Sequence, residues 1–230
     1  MDWLTNKPIT HRGLYDNITI PENSIAAFEL AVKSGYPIEL DLQFLSDGHI
    51  AVFHDSSLAR MTGRKLSVCS VSLDELKSLN LLETNQSIPI LEEVLECVDG
   101  KVPLILEIKN PFFPARFEHA ILKLLKNYKG EFAVESFNPL TVFWMKVFAK
   151  QFLRGQLSRS LFRANLYGKV TAPHFLAVDI RKLKYDRKKP FKKKIPVIGY
   201  TAKSQVEFTK AMTICNNVIF EGFEPDFNIS

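Results

Sequence analysis

Two acids one residue apart, Glu39 and Asp41, lie in Pro37-Ile38-Glu39-Leu40-Asp41-Leu42, and a third, Glu107, lies in Leu104-Ile105-Leu106-Glu107-Ile108-Lys109. Both runs read as strands. Side chains alternate along a strand, so Glu39 and Asp41 share one face, as do Glu107 and Lys109, while Ile38, Leu40 and Leu42 take the other. Carboxylates turned to an interior are costly unless paired or bound to a cation. Three converging from two strands form an all-oxygen set suited to one hard divalent cation, Mg2+ or Ca2+. His11 and His54 could be zinc ligands, core histidines or acid–base groups. Beside an all-oxygen site the last role gains weight, because a hard metal needs no imidazole and both rings stay free to move protons near pH 7. His49, His119 and His174 have no such company and read as structural or exposed.

The elements that must position these residues alternate regularly. Eight strands are expected at 8–11, 37–42, 102–108, 132–136, 153–157, 175–180, 195–200 and 218–221, most of them followed by a helix. Asn23 or Ser24 caps a helix over 25–32, and Gly35 closes it. Ser72-x-x-Glu75 is a capping box for a helix from Leu73 to Leu79, and Pro89 suits the first turn of one from Ile90 to Val98. Further helices are expected at 115–128, 140–150, 161–167 and 204–214. Eight β and α units favour a (β/α)8 TIM-type barrel, with chemistry at the C-terminal strand ends. His11, Arg12, Glu39, Asp41, Glu107, Lys109, Ser136, Gln156, Asp179 and Thr201 fall there. The turn Ser46-Asp47-Gly48-His49 is too short for a parallel crossover. Residues 38–45 and 49–54 therefore form a β-hairpin whose return arm is an excursion from the barrel. The hairpin and a small insertion, 46–88, follow the second strand within a single domain spanning 1–230.

Composition narrows the function classes. The chain has 230 residues, 46% hydrophobic and 24% charged, without an apolar run long enough to span a membrane or an evident secretory signal. Three widely spaced cysteines, Cys69, Cys97 and Cys215, argue against a disulfide framework or structural zinc and suit a reducing, cytoplasmic setting. The net charge of +5 is concentrated. Arg181–Lys194 holds nine basic residues and one acid, net +8, which leaves the remainder at −3. That distribution argues against a general nucleic-acid binder. The run reads as a solvated crossover, with weak contact to an anionic membrane or steering of anionic substrate as the functional alternative. Phe112 and Phe113, just after Lys109, read as packing under a loop or as substrate contacts. A closed barrel is compatible with a monomer or a homodimer.

In order and spacing, His11-Arg12-Gly13, Pro21-Glu22-Asn23-Ser24, Ala27-Phe28, Glu39-Leu40-Asp41, Asp47-Gly48, His54-Asp55 and Glu107-Ile108-Lys109 resemble the glycerophosphodiester phosphodiesterase family. The resemblance implies a (β/α)8 barrel with a small insertion. It also implies a phosphoric diester hydrolase that converts glycerophosphodiesters to glycerol 3-phosphate and an alcohol. By the family pattern Glu39, Asp41 and Glu107 hold a divalent cation, His11 and His54 act as general acid and base, and Arg12 and Lys109 contact the phosphate. Tyr200 stands nearest to a Trp that many relatives carry, and is expected to touch substrate. Glu22 is expected to orient Arg12 or His11. The same site also suits a lysophospholipase-D-like enzyme acting on membrane lysolipids, or a silent barrel that binds phosphodiesters or a partner. The chain departs from the pattern at its end, where Glu221 and Glu224-Pro225 replace a common Asp-Gly-x-x-Thr-Asp-x-Pro.

Overall fold

Strands and helices alternate along the chain, and the last barrel strand returns to the first. In the computed structural model, which describes residues 2–110, 115–183 and 195–227, the strands are β1 (Ile9–His11), β2 (Ile38–Phe44), β3 (Ile50–Val52), β4 (Leu104–Ile108), β5 (Phe132–Ser136), β6 (Leu153–Ser158), β7 (Phe175–Asp179), β8 (Val197–Ala202) and β9 (Asn217–Phe220). All but β3 are parallel and pair in chain order. Closure comes from β1, which pairs with both β2 and β9. The expected hairpin is present: β3 runs antiparallel to the upper end of β2, with Leu42 opposite Val52 and Phe44 opposite Ile50, and stays outside the barrel.

The helices are α1 (Trp3–Asn6), α2 (Ile25–Lys33), α3 (Ala59–Thr62), α4 (Leu73–Lys77), α5 (Leu91–Val98), α6 (Arg116–Leu125), α7 (Pro139–Phe148), α8 (Leu161–Thr171) and α9 (Gln205–Met212). Ser24 Oγ accepts from the Ala27 N–H at the start of α2, and Ser72 with Glu75 forms the capping box of α4. No described helix is long and apolar enough to cross a membrane.

Two expected boundaries shift, and one element was not expected. The strand expected at 195–200 lies at Val197–Ala202. Pro196 has no N–H to give to a ladder, and its carbonyl accepts from Leu176 instead. The shift moves Tyr200 from the end of the strand to its interior. The helix expected to end at Tyr167 continues to Thr171, where Ala172 closes it in a left-handed conformation. The short α1 had no periodicity to reveal it. It tucks Trp3 and Leu4 under the barrel, and Asn217 donates to the carbonyls of Leu4 and Lys7.

The outer apolar layer contains Ile38, Leu40 and Leu42 of β2, packed with Val94 and Val98 of α5 and with Phe117 and Ile121 of α6. The barrel interior is a separate cluster that includes Ile9, Ile105, Ala133, Leu157, Phe175, Ala177, Ile198 and Ile219. The Phe175 ring fills much of it. A Cβ at Gly155 would lie 2.3 Å from that ring, so glycine is what lets the ring in. Residues 45–88 enclose a satellite core of Leu45, Phe53, Leu58, Met61, Val68, Leu76 and Ile88 beside the mouth.

Candidate active site

One rule places most of the site. Along six of the eight barrel strands, an apolar interior residue is followed two positions later by a polar one at the mouth: Ile9 then His11, Ile105 then Glu107, Ala133 then Glu135, Ala177 then Asp179, Ile198 then Tyr200, Ile219 then Glu221. Because the side-chain period is two, the pair shares the inner face. The result is an apolar plug with an ionisable ring above it. That ring lines a cavity of about 650 Å3. His11, Arg12, Glu22, Glu39, His54, Glu107, Lys109 and Tyr200, all expected from the sequence, line this one space. Asp41 lies fully buried beside them.

Glu39, Asp41 and Glu107 bring one ligand oxygen each to within 4.8 Å of one another. Register accounts for part of this, since Asp41 is directly opposite Glu107 across β2 and β4. Burial, with Asp41 and Glu107 close by, pushes Glu39 well above the usual carboxylate range. Glu107 is pushed up to about 7 by burial, although Lys109 pulls the other way. Asp41 is equally buried, but Lys109 and Arg12 hold it well below the usual range. Lys109 Nζ lies 2.8 Å from Glu107 and 3.0 Å from Asp41, so it pairs with the acids at the cavity wall. Glu39 Oε2 is buried without a hydrogen bond. An orphaned carboxylate oxygen, and two acids whose ionisation is opposed by burial and by each other, are what a divalent cation would relieve. The donor set is all oxygen, which fits Mg2+ or Ca2+.

Both histidines are oriented by carboxylates. His11 Nδ1 pairs with Glu221 Oε2, which also accepts from the Tyr15 hydroxyl, while Nε2 lies 3.8 Å from Glu39. His54 Nδ1 is 2.6 Å from Asp55 Oδ1. In both rings the carboxylate favours a proton on Nδ1 and leaves Nε2 for exchange at the cavity. Burial lowers His11 and His54 below the ordinary imidazole value, against the pull of Glu221 on the first and Asp41 on the second. The hairpin supplies the aim of His54: Gln43 donates to the carbonyls of His54 and Asp55, each at 3.1 Å.

A third group ties the two halves together. Arg12 Nη1 binds Glu22 at 2.7 Å, and its Nε lies 3.2 Å from Asp41. Glu22 thus orients Arg12, the first of the two roles expected for it. It also accepts from Asn17 and from Arg60 of α3, and Arg60 Nε reaches Asp55 at 2.6 Å. The chain Arg12–Glu22–Arg60–Asp55–His54 therefore spans the mouth. Arg12 has φ of 61° and Gly13 84°, and a Cβ at Gly13 would lie 2.8 Å from the Ala27 carbonyl oxygen. Only glycine fits that second position. Asn23, one of the two residues considered as a helix cap, donates instead to Asp41 at 2.8 Å.

Several residues fall differently from expectation or were missed. Ser136 and Gln156 bond backbone carbonyls and serve the barrel wall. Asp179 is held bidentately by Arg181. The Tyr200 hydroxyl is buried without a partner, and its ring stands perpendicular to Phe137 with centroids 6.1 Å apart. Glu135, Tyr15 and Arg60 were not expected at the site, and Glu221 was expected only as a departure from the family's ending. Glu135 lies in register with Glu107, is 2% exposed and has an unpartnered Oε2. The expected alternation applied to 133–135 and 219–221 would have found both acids. Phe112, Phe113 and 184–194 of the basic run lie outside the described residues. His49 pairs with Asp47, His119 packs edge-on to Trp144, and His174 accepts from the Arg154 N–H, all away from the cavity.

Residues 11–147 match the glycerophosphoryl diester phosphodiesterase family model. A glycerophosphodiester phosphodiesterase of Caldanaerobacter subterraneus is 37% identical over 142 residues, covering 56% of this chain and 57% of that one. One from Bacillus altitudinis is 40% identical over 116 residues, covering 46% of each. The chain thus spans about half the length of these relatives in the matched segment. Among solved structures, an Oleispira antarctica phosphodiesterase superposes with a TM-score of 0.84 at 22% identity, covering 95% of this chain and 93% of that one. A glycerophosphodiester phosphodiesterase from Thermotoga maritima gives 0.75 at 25% identity, covering 94% of each.

Proposed function

Because this chain belongs to the glycerophosphoryl diester phosphodiesterase family, we propose that it hydrolyses glycerophosphodiesters to glycerol 3-phosphate and an alcohol. The observation that carries the reading is the single cavity joining three clustered carboxylates with two carboxylate-oriented histidines. The Oleispira phosphodiesterase of the same fold is described in complex with the product sn-glycerol-3-phosphate, which supports the substrate class.

Glu39, Asp41 and Glu107 would hold one divalent cation, Mg2+ or Ca2+, which when bound offsets negative charge building on the phosphoryl oxygens. Arg12 adds to this. Glu22 and Asp41 take its Nη1 and Nε sides, leaving Nη2 for a phosphoryl oxygen. Lys109 holds Asp41 and Glu107 in place and keeps a positive charge beside the phosphate. One histidine takes the proton of the attacking hydroxyl through Nε2, and the other protonates the departing alcohol oxygen. The attacking group is the substrate's own glycerol 2-hydroxyl, whose effective molarity exceeds that of water. The cyclic phosphate it forms is then opened by water, with the histidines exchanging roles. Tyr200 and Phe137 line the side of the cavity where the remainder of the substrate lies. The three free cysteines fit a reducing compartment, the cytoplasm.

The test is a comparison of glycerophosphocholine with lysophosphatidylcholine under saturating Mg2+ or Ca2+. Higher kcat/KM on the soluble diester, with glycerol 3-phosphate as product, supports the proposal. Preferential cleavage of the lysolipid, or turnover of neither by folded protein, overturns it.

A further inference from the structure

The outer faces of α7 and α8 carry an apolar surface that no described element covers. On α7, Leu140, Phe143, Val147 and Phe148 are exposed, the first three at positions i, i+3 and i+7. On α8, Phe162, Leu166 and Val170 recur every four residues, with Phe162 78% and Val170 60% exposed. Such spacing puts each set on one side of its helix. Lys146 shows that the two stripes adjoin. Its Nζ donates to the Val170 carbonyl at 2.8 Å while lying 5.6 Å from the centre of the Phe143 ring. Single exposed apolar residues are ordinary, but a run of seven over two neighbouring helices marks an interaction surface.

The charge around the patch says what kind of surface it meets. From Phe137 to Val178 there is no Asp or Glu, while Lys146, Lys150, Arg154, Arg159, Arg163 and Lys169 are present. Arg154 is buried against the Thr171 and Ala172 carbonyls, and the others lie at or near the surface. We infer that this face docks on an anionic lipid bilayer, with Phe143, Phe162, Leu166 and Val170 entering the interface and the basic side chains meeting the headgroups. An apolar stripe on helices whose own charged residues are all Lys and Arg is the pattern of a helix lying in a membrane interface. A second copy of this chain is a poorer fit, because an isologous contact would bring the basic residues of both copies together.

The location adds a consequence. Phe137 and Arg159 line the cavity, and the chain runs from them directly into α7 and α8. The patch therefore starts at the cavity rim. If the proposed activity holds, a lipid-derived diester leaving the bilayer reaches the cavity on its Phe137–Arg159 side. Docking itself does not depend on that activity.

The test is cosedimentation of the full chain with vesicles of phosphatidylcholine alone and of equal parts phosphatidylcholine and phosphatidylglycerol. Binding is expected only to the mixed vesicles and weakens with salt. Two double variants, F162D/L166D and R163E/K169E, should each lower the vesicle affinity at least about tenfold and leave turnover of a soluble glycerophosphodiester unchanged. Their side chains are exposed and lie outside the cavity, and circular dichroism checks their fold. Absence of wild-type binding overturns the inference, as does binding that both variants retain, which would place contact elsewhere on the chain. A dimer that F162D/L166D splits also overturns it, by assigning the face to a second copy.

Discussion

Replacing Glu107 by Gln removes a buried charge while keeping side-chain shape and a contact for Lys109. The carboxyl is buried, and its pKa rises from 4.5 to about 7 on folding. A group that binds its proton more tightly in the native state contributes fully below pH 4.5 and loses that contribution as pH rises through 7. The rise corresponds to about 3 kcal/mol. In chelator at pH 8, Glu107→Gln should therefore be more stable than the natural chain, by about 6–12 °C in Tm for a protein of this size. At pH 4.5 the two should melt together. Mg2+ or Ca2+ reverses the order: saturating cation should raise the natural chain's Tm and leave the variant unmoved, because binding to the folded state stabilises only a chain that keeps the ligand set. Scanning calorimetry between pH 4.5 and 8, with chelator and with each metal, reads both effects. A variant less stable than the natural chain at pH 8 in chelator would refute the electrostatic reasoning. An equal metal-induced rise in both would remove Glu107 from the ligand set.

Further outcomes follow from the same geometry. Gly13→Ala sets a Cβ against the Ala27 carbonyl in a left-handed backbone, and should cost about 2 kcal/mol, measured by urea unfolding; an unchanged midpoint would show that the loop relaxes freely. Arg60→Ala breaks the bridge from Glu22 to Asp55, and should lower kcat/KM about tenfold without a comparable loss of stability, as outer partners of a site commonly do. A substrate lacking the glycerol 2-hydroxyl should turn over at least about 10³-fold more slowly, since attack then falls to water; comparable rates would assign the attack to water from the start.

What the sequence made legible and what it hid have physical reasons. Glu39 and Asp41 stood out because two acids on one strand cannot both be solvated when Ile38, Leu40 and Leu42 occupy the opposite face. The hairpin was legible because a four-residue turn admits only antiparallel strands. Glu135 and Glu221 each stand alone in their strands, so alternation could place them on the inner face, but the pairing of β4 with β5 and the closure of β1 on β9 are what bring them to the same cavity as Glu107 and His11. Arg60 was hidden for another reason. It comes from the insertion, where no barrel periodicity applies, and its role depends on a long-range approach to Glu22. Tyr200 was placed near its role despite the strand being misplaced by two residues, because a shift of two preserves the inner face.

The most direct test of the central claim is glycerol 3-phosphate release from glycerophosphocholine, measured with Mg2+, with Ca2+ and with EDTA, for the natural chain and for His11→Ala and His54→Ala. Release should require a divalent cation and fall at least about 10²-fold in each variant, with circular dichroism unchanged. Release that persists in EDTA, or survives the loss of either histidine, would contradict that claim.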